Sequence, residues 1–273
     1  PKLRRIHKAT VRDRVLYQAV YRILYQIFDS TFIFQSYASR YAKGTQAGFT
    51  TLEKYIRKVS MNYTQQGYVV KCDIRKFFDS IDHDILFDLI KQKIADSNLV
   101  IFIRRIIDSF TTQPGKGLPL GNVTSQLFAN IYMNQLDQYI KRELKAKCYV
   151  RYCDDFVIVS DSKEYLEYCV GKIGEFCKSK LSLDLHPHKV IFRKIHQGMD
   201  FLGYVALPHR RVLRTGTKNR MLQKLKELKL LSDSAKIEKE FVEQSIQSYL
   251  GVLSHCKGEK IKKQIEKLLP NKL

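Results

Sequence analysis

Four residues, Tyr152-Cys153-Asp154-Asp155, stand between the apolar runs Tyr149-Val150-Arg151 and Phe156-Val157-Ile158-Val159. Two β-rich runs around so short a polar centre read as a hairpin, with the acidic pair at or beside its turn. Adjacent carboxylates repel each other, so the pair is costly unless cations neutralise it. Oxygen-only ligands of this kind suit Mg²⁺ ahead of a softer metal. An isolated Asp-Asp is ordinarily a solvated turn, and a second segment is what changes that reading. Tyr68-Val69-Val70-Lys71-Cys72 reads as a buried strand with Asp73 at its C-terminal end. Laid beside the hairpin, that strand would bring Asp73, Asp154 and Asp155 to one edge of a sheet. Three carboxylates there could hold two Mg²⁺ ions roughly 3.5–4 Å apart, the spacing used in two-metal phosphoryl transfer. The segments are far apart in the chain, so spacing alone does not establish the convergence.

The rest of the sequence fits an α+β chain. Val15, Ala19, Val20, Ile23, Leu24, Ile27 and Phe28 recur at helical spacing, which predicts an amphipathic helix over 12–29. Asp82 before His83-Asp84-Ile85-Leu86 reads as an N-cap opening a helix to about Ala95, in preference to a metal site. Helical periods follow over 127–145 and 164–181, and near 219–231, 236–253 and 258–269. A chain of 273 residues with formal net charge +21 can bury a sizeable core and has the electrostatic footprint of a phosphate-rich partner. Arg210, Arg211, Arg214, Lys218, Arg220, Lys224, Lys226 and Lys229 form its densest cationic stretch. No run approaches 18 apolar residues, so a spanning helix is not expected, and no secretory signal pattern opens the chain. The six cysteines lack Cys-x-x-Cys spacing and read as free thiols in a reducing compartment, which points to the cytoplasm.

Several motifs in order resemble those of the reverse transcriptases. Asp73 with Phe78 looks like the first palm motif, Gly117-Leu118-Pro119-Leu120-Gly121-Asn122-Val123-Thr124-Ser125-Gln126 like the second, and Tyr152-Cys153-Asp154-Asp155 like the Tyr-x-Asp-Asp box. Lys189, after His186-Pro187-His188, sits where the next motif carries a lysine, and Phe201-Leu202-Gly203-Tyr204 resembles the primer-grip hairpin. Within the family, Leu120-Gly121 with Ser125-Gln126, the stretch Ser36-Tyr37-Ala38-Ser39-Arg40, and Gln247-Ser248-Tyr249-Leu250-Gly251 resemble enzymes of prokaryotic diversity-generating retroelements.

The resemblance implies a right-hand polymerase, with fingers over 1–67, palm over 68–204 and a helical thumb over 205–273. It implies RNA-directed DNA synthesis with two Mg²⁺ ions, Mn²⁺ being able to stand in, on an RNA template with a DNA or RNA primer and deoxynucleoside triphosphates. A basic accessory protein is an implied partner. Asp73, Asp154 and Asp155 would be catalytic, with Ile74 beside them at the metals. Arg4, Arg12, Phe78, Gly121, Gln126 and Lys189 would serve the nucleotide, Phe78 as the steric gate against a 2′-hydroxyl. Leu120, Ser125, Tyr152, Phe201, Leu202 and Gly203 would face template and primer. An aliphatic Leu120, where a glutamine is common, implies relaxed fidelity. The family's fingers region usually extends ahead of a segment like Lys2-Leu3-Arg4-Arg5-Ile6, so a fragment or a short N-terminus is expected. A group II intron-like enzyme, a defence polymerase making untemplated DNA, and an RNA-gripping protein without synthesis remain open.

Overall fold

A computed structural model of the chain describes residues 6–234 and 237–268. It divides into two compact units, Pro1–Phe192 and Arg193–Leu273. In the first, helix α1 (Val11–Phe28) begins where the Thr10 side chain accepts from the Asp13 N–H at 3.2 Å, and it buries Val20, Leu24 and Phe28 at four-residue spacing. Helix α2 (Thr45–Val59) buries Phe49, Leu52 and Ile56. Strand β1 (Tyr68–Asp73) follows, then the single turn α3 (Phe77–Ser80) and helix α4 (His83–Lys91).

Asp82 caps α4 as its position suggests, its carboxylate accepting from the N–H groups of Asp84 and Ile85. The helix stops at Lys91, short of Ala95. Lys93 and Ile94 make only three-residue hydrogen bonds, and Asp96 then caps helix α5 (Ser97–Asp108), an element the sequence reading lacks. Helix α6 (Val123–Gln138) is buried along nearly its whole length and runs on as a π-helical turn at Tyr139–Glu143.

Strands β2 (Cys148–Tyr152) and β3 (Asp155–Ser160) form the expected hairpin, followed by helix α7 (Lys163–Leu181). With β4 (Ile191–Lys194) they complete a four-stranded sheet in the order β2-β3-β1-β4. Strand β1 runs antiparallel to β3, pairing Tyr68 with Ser160 and Asp73 with Asp155. Val70, Cys72, Phe156 and Ile158 pack with Leu24, Phe28, Leu127, Tyr132, Leu136, Leu166, Ile173 and Leu181 in one core. Each such large side chain contributes about 1.5–3 kcal/mol through burial. The core fixes the register, because a slip of one residue would swap Val70, Cys72, Phe156 and Ile158 with Val69, Val157 and Val159, buried on the opposite face.

The second unit holds the meander β5 (Met199–Phe201), β6 (Tyr204–Leu207) and β7 (Arg210–Leu213), then helices α8 (Thr215–Asp233), α9 (Lys239–Leu253) and α10 (Glu259–Leu268). Met221, Leu225 and Leu228 of α8 are buried, as are Val242, Ile246, Leu253, Ile261 and Ile265. No helix among the described residues is long and apolar enough to cross a membrane.

Candidate active site

The β2–β3 hairpin turns over only Cys153 and Asp154, because Tyr152 pairs directly with Asp155. So short a turn requires a left-handed backbone, and Cys153 takes it with φ 57°. Asp155 begins β3 and lies opposite Asp73, the last residue of β1. Directly opposed positions in an antiparallel pair hold their Cβ atoms about 4.5–5.5 Å apart. The convergence that the sequence left open is therefore present: Asp73, Asp154 and Asp155 share one end of the sheet.

Two of the three face cations supplied by the chain itself. Lys189 Nζ donates to both carboxylate oxygens of Asp73 at 2.9 Å, and Lys71 Nζ lies 3.0 Å from Asp155 Oδ2. Lys71 comes from β1 itself, two residues before Asp73 and on the same face, a pairing that period-2 alternation makes legible and that the sequence reading overlooked. Burial pushes the Asp155 carboxyl up to about 6; Lys71 pulls it back, and the neighbouring Asp73 and Asp154 push it further up. Asp154 is also raised, first by burial. Burial lifts the Cys153 thiol as well, to about 12, which leaves it a neutral and unreactive group inside the turn.

Among the described residues no three acidic, histidine or cysteine side chains are gathered around one point as ligands of a metal ion. Like charges drawn to one sheet edge turn toward the nearest positive groups, here the two lysines. The donor set still fits Mg²⁺. All three side chains offer only oxygen, and Asp155 Oδ1 is buried with no hydrogen-bond partner. A buried carboxylate oxygen without a donor is a position a cation would satisfy.

The nucleotide-side residues are placed unevenly. Phe77 is buried in the core while Phe78 is only partly so, the two rings meeting edge to face at 5.3 Å. The Phe78 carbonyl accepts from the Leu118 N–H at 2.8 Å, which ties the second motif to the first. Gly121 has φ 108°, and a Cβ there would meet Ile6 Cγ2 at 3.0 Å. The neighbouring Leu120 carbonyl accepts from the His7 N–H at 3.1 Å. Gln126 is exposed and accepts from Ser39 Oγ at 2.9 Å, whereas Ser125 is buried in the first turn of α6. Tyr152 is half-buried. Ile74 is buried at 1% exposure, so the atom it can offer a cation is its main-chain oxygen. Arg12 is exposed on the first turn of α1. Arg4 lies outside the described residues. In the second unit, Leu202 (φ 50°) and Gly203 (φ 88°) form the two-residue turn joining Phe201 to Tyr204, a hairpin as the motif suggests.

Two polar arrangements have no counterpart in the sequence reading. His83 is buried, with Nε2 donating to the Gly117 carbonyl at 2.8 Å and Nδ1 3.2 Å from Asp108 Oδ1. Arg151 and Asp137 form a fully buried ion pair behind the hairpin turn. Both involve partners distant in sequence, and only the polarity of Arg151 inside an otherwise apolar strand hinted at either.

A carboxylate triad at the end of an antiparallel sheet, backed by helices and preceded by a glycine-bearing loop, defines a polymerase-type palm. The sequence matches the family Reverse transcriptase (RNA-dependent DNA polymerase) over residues 1–206, and the chain belongs to that family. It is 24% identical over 241 residues to Protein YkfC of Escherichia coli strain K12, covering 74% of this chain and 63% of that one. It is 26% identical over 287 residues to the Group II intron-encoded protein LtrA of Lactococcus lactis subsp. cremoris, covering 80% of this chain and 46% of LtrA. The chain thus spans under two thirds of either relative. In architecture it resembles apo telomerase from Candida Tropicalis, with a TM-score of 0.56 over 93% of this chain and 51% of that one, at 15% identity. A likeness at that identity speaks for the α+β polymerase fold alone.

Proposed function

We propose that this chain is the catalytic part of an RNA-directed DNA polymerase, which adds deoxynucleotides to a primer 3′-hydroxyl on an RNA template. The observation that carries this reading is the register of β1 against β3, which sets Asp73 opposite Asp155 and beside the Asp154 turn. Asp73, Asp154 and Asp155 would hold Mg²⁺, with the Ile74 carbonyl available beside them. Bound there, the metal would activate the primer hydroxyl and neutralise charge on the leaving pyrophosphate. Lys189 would yield Asp73 on loading. Lys189, freed from Asp73, is then a cation within reach of a triphosphate, and Lys71 continues to neutralise Asp155. Arg4 and Arg12 are further triphosphate partners. Gly121 and Gln126 bound the nucleotide pocket, and Phe78, the less buried member of its aromatic pair, stands as the sugar gate.

Leu120, Ser125 and Tyr152 belong to the template and primer side, Ser125 acting through its place in α6 because its side chain is buried. Phe201, Leu202 and Gly203 form the primer grip. In this reading residues 1–67 are fingers, 68–204 palm and 205–273 thumb. The variant second motif, with Leu120 and Ser125-Gln126, supports a low-fidelity enzyme of a diversity-generating retroelement, working with a template RNA and a basic accessory protein. The similarity to LtrA favours a second reading, a group II intron-like enzyme whose template is an intron RNA.

Primer extension on a defined RNA template with Mg²⁺ and four deoxynucleotides tests the activity. The wild type should make template-matched DNA, and Asp154→Ala should lose at least about a thousandfold of the rate, an electrostatic loss of roughly 4 kcal/mol. Errors concentrated opposite template adenines would support the retroelement reading, and even errors the intron-like one. Unmatched DNA, or activity that survives Asp154→Ala, would refute the proposal.

A further inference from the structure

Arg151 precedes the catalytic turn by one residue, and its guanidinium has all five N–H groups engaged. Nε donates to Asp137 Oδ1 at 2.8 Å, and Nη2 to Asp137 Oδ2 at 2.6 Å and Ser36 Oγ at 2.9 Å. Nη1 donates to Asn130 Oδ1 at 3.1 Å and to the main-chain carbonyl of Cys153 at 3.0 Å. Tyr149 Oη donates to the same Asp137 Oδ1 at 2.7 Å. The backbone adds two bonds, Tyr37 N–H to the Arg151 carbonyl and Arg151 N–H to the Gln35 carbonyl, both at 3.0 Å. Neither charged side chain is exposed at all. Burial works against the charge of Arg151, and Asp137 beside it more than compensates, so the guanidinium stays charged.

A buried ion pair of this kind adds little to stability, because the desolvation of each ion costs several kcal/mol and apolar residues of similar volume would often hold the fold as well. Its distinctive feature is the bond to Cys153. That carbonyl belongs to the peptide linking Cys153 to Asp154, at the one non-glycine residue of the turn in the left-handed region. Such a conformation costs roughly 1–2 kcal/mol for a residue with a Cβ and has to be held by its surroundings.

We propose that Arg151 is a positioning residue for the cation site: by fixing the Cys153 carbonyl it sets the direction of the Asp154 carboxylate, with its own place set by Asp137, Asn130 and Ser36. The proposal rests on the reading of Asp73, Asp154 and Asp155 as a metal site. An arginine is needed because its planar fork delivers five donors in fixed directions, while a lysine delivers three from one atom. Groups hydrogen-bonded to a metal's ligands alter its affinity by about 10–100-fold when replaced, and Arg151, which holds the peptide next to Asp154, falls at the lower end of that range.

Two variants test it: Arg151→Lys, and the triple substitution Arg151→Met, Asp137→Leu, Tyr149→Phe, which replaces the buried polar group with apolar side chains and keeps the fold if the first variant does not. The readouts are Mn²⁺ binding by electron paramagnetic resonance in the presence of primer–template, primer–template affinity, and the melting temperature. The expected result is Mn²⁺ affinity down about tenfold in each folded variant, measured well below its melting temperature, with primer–template affinity unchanged. Wild-type Mn²⁺ affinity in a folded variant would overturn the proposal. So would a loss that merely follows the fall in melting temperature. Wild-type protein whose Mn²⁺ binding is unaltered by Asp154→Ala would instead remove the metal-site reading, and the proposal with it.

Discussion

At the scale of single residues, the site is a balance of charge. Two lysines answer two of three clustered acids, and the third acid, Asp154, sits at the turn with its carboxyl raised by burial. Lys71 and Lys189 let the fold close without a metal, since a cluster of bare buried carboxylates would otherwise cost far more than a marginal stability can offset. Phe77 and Phe78 differ in a way that adjacent aromatics leave ambiguous in sequence: the first is buried in the core, and the second is only partly buried against it. From that difference follows a prediction for the proposed gate. Phe78→Ala should raise ribonucleotide incorporation about tenfold or more relative to deoxyribonucleotide, because relieving a steric overlap is worth about 1–3 kcal/mol. Single-nucleotide extension with each sugar measures it, and unchanged selectivity in a folded variant would remove Phe78 from the role.

At the scale of elements, the loop before α6 is held rigidly on one side. Gly117 has φ 113°; its N–H donates to the Ile81 carbonyl at 2.9 Å and its own carbonyl accepts from His83. A Cβ at Gly117 would meet Thr112 Oγ1 at 2.7 Å and Thr112 N at 2.9 Å, whereas one at Gly115 (φ 68°) would meet nothing within 4 Å. Both substitutions strain the backbone, but only one also collides. Gly115→Ala should therefore cost about 1–2 kcal/mol and Gly117→Ala about 3 kcal/mol or more, as measured by urea denaturation. Equal losses would contradict the account. The hairpin, strand β1 and the Asp82 cap were legible in the sequence because each depends on neighbours within a few residues. Helix α5 was not, since its amphipathic face lies behind a cap at Asp96 that follows a loosened end of α4. The buried Arg151–Asp137 pair was illegible for another reason: its members lie on α6 and β2, and only the tertiary fold makes them neighbours.

At the scale of the whole molecule, charge dominates. A formal net charge of +21, with Arg214, Arg220, Lys224 and Lys226 exposed in the second unit, suits a backbone-directed grip on nucleic acid. Affinity for an RNA–DNA duplex should fall about 10³-fold or more between 50 and 200 mM salt and vary little with sequence, if six or more phosphates are neutralised. Fluorescence anisotropy across a salt series checks this, and a flat response would count against it. The family could be read from motif order alone; which acid each lysine answers could not, because Lys71 meets Asp155 across two strands and Lys189 reaches Asp73 from over a hundred residues away. The register of β1 against β3 also dictates a sequence of events in folding. The hairpin closes over two residues and can form within microseconds, but Asp73 joins it only when a loop of about eighty residues has closed. A nascent chain that has emerged only through β1 therefore carries one acid of the triad and no site. The proposed cation site is assembled in one step, with the docking of β1 on β3, and a ligand that binds the triad would hold that long-range contact closed.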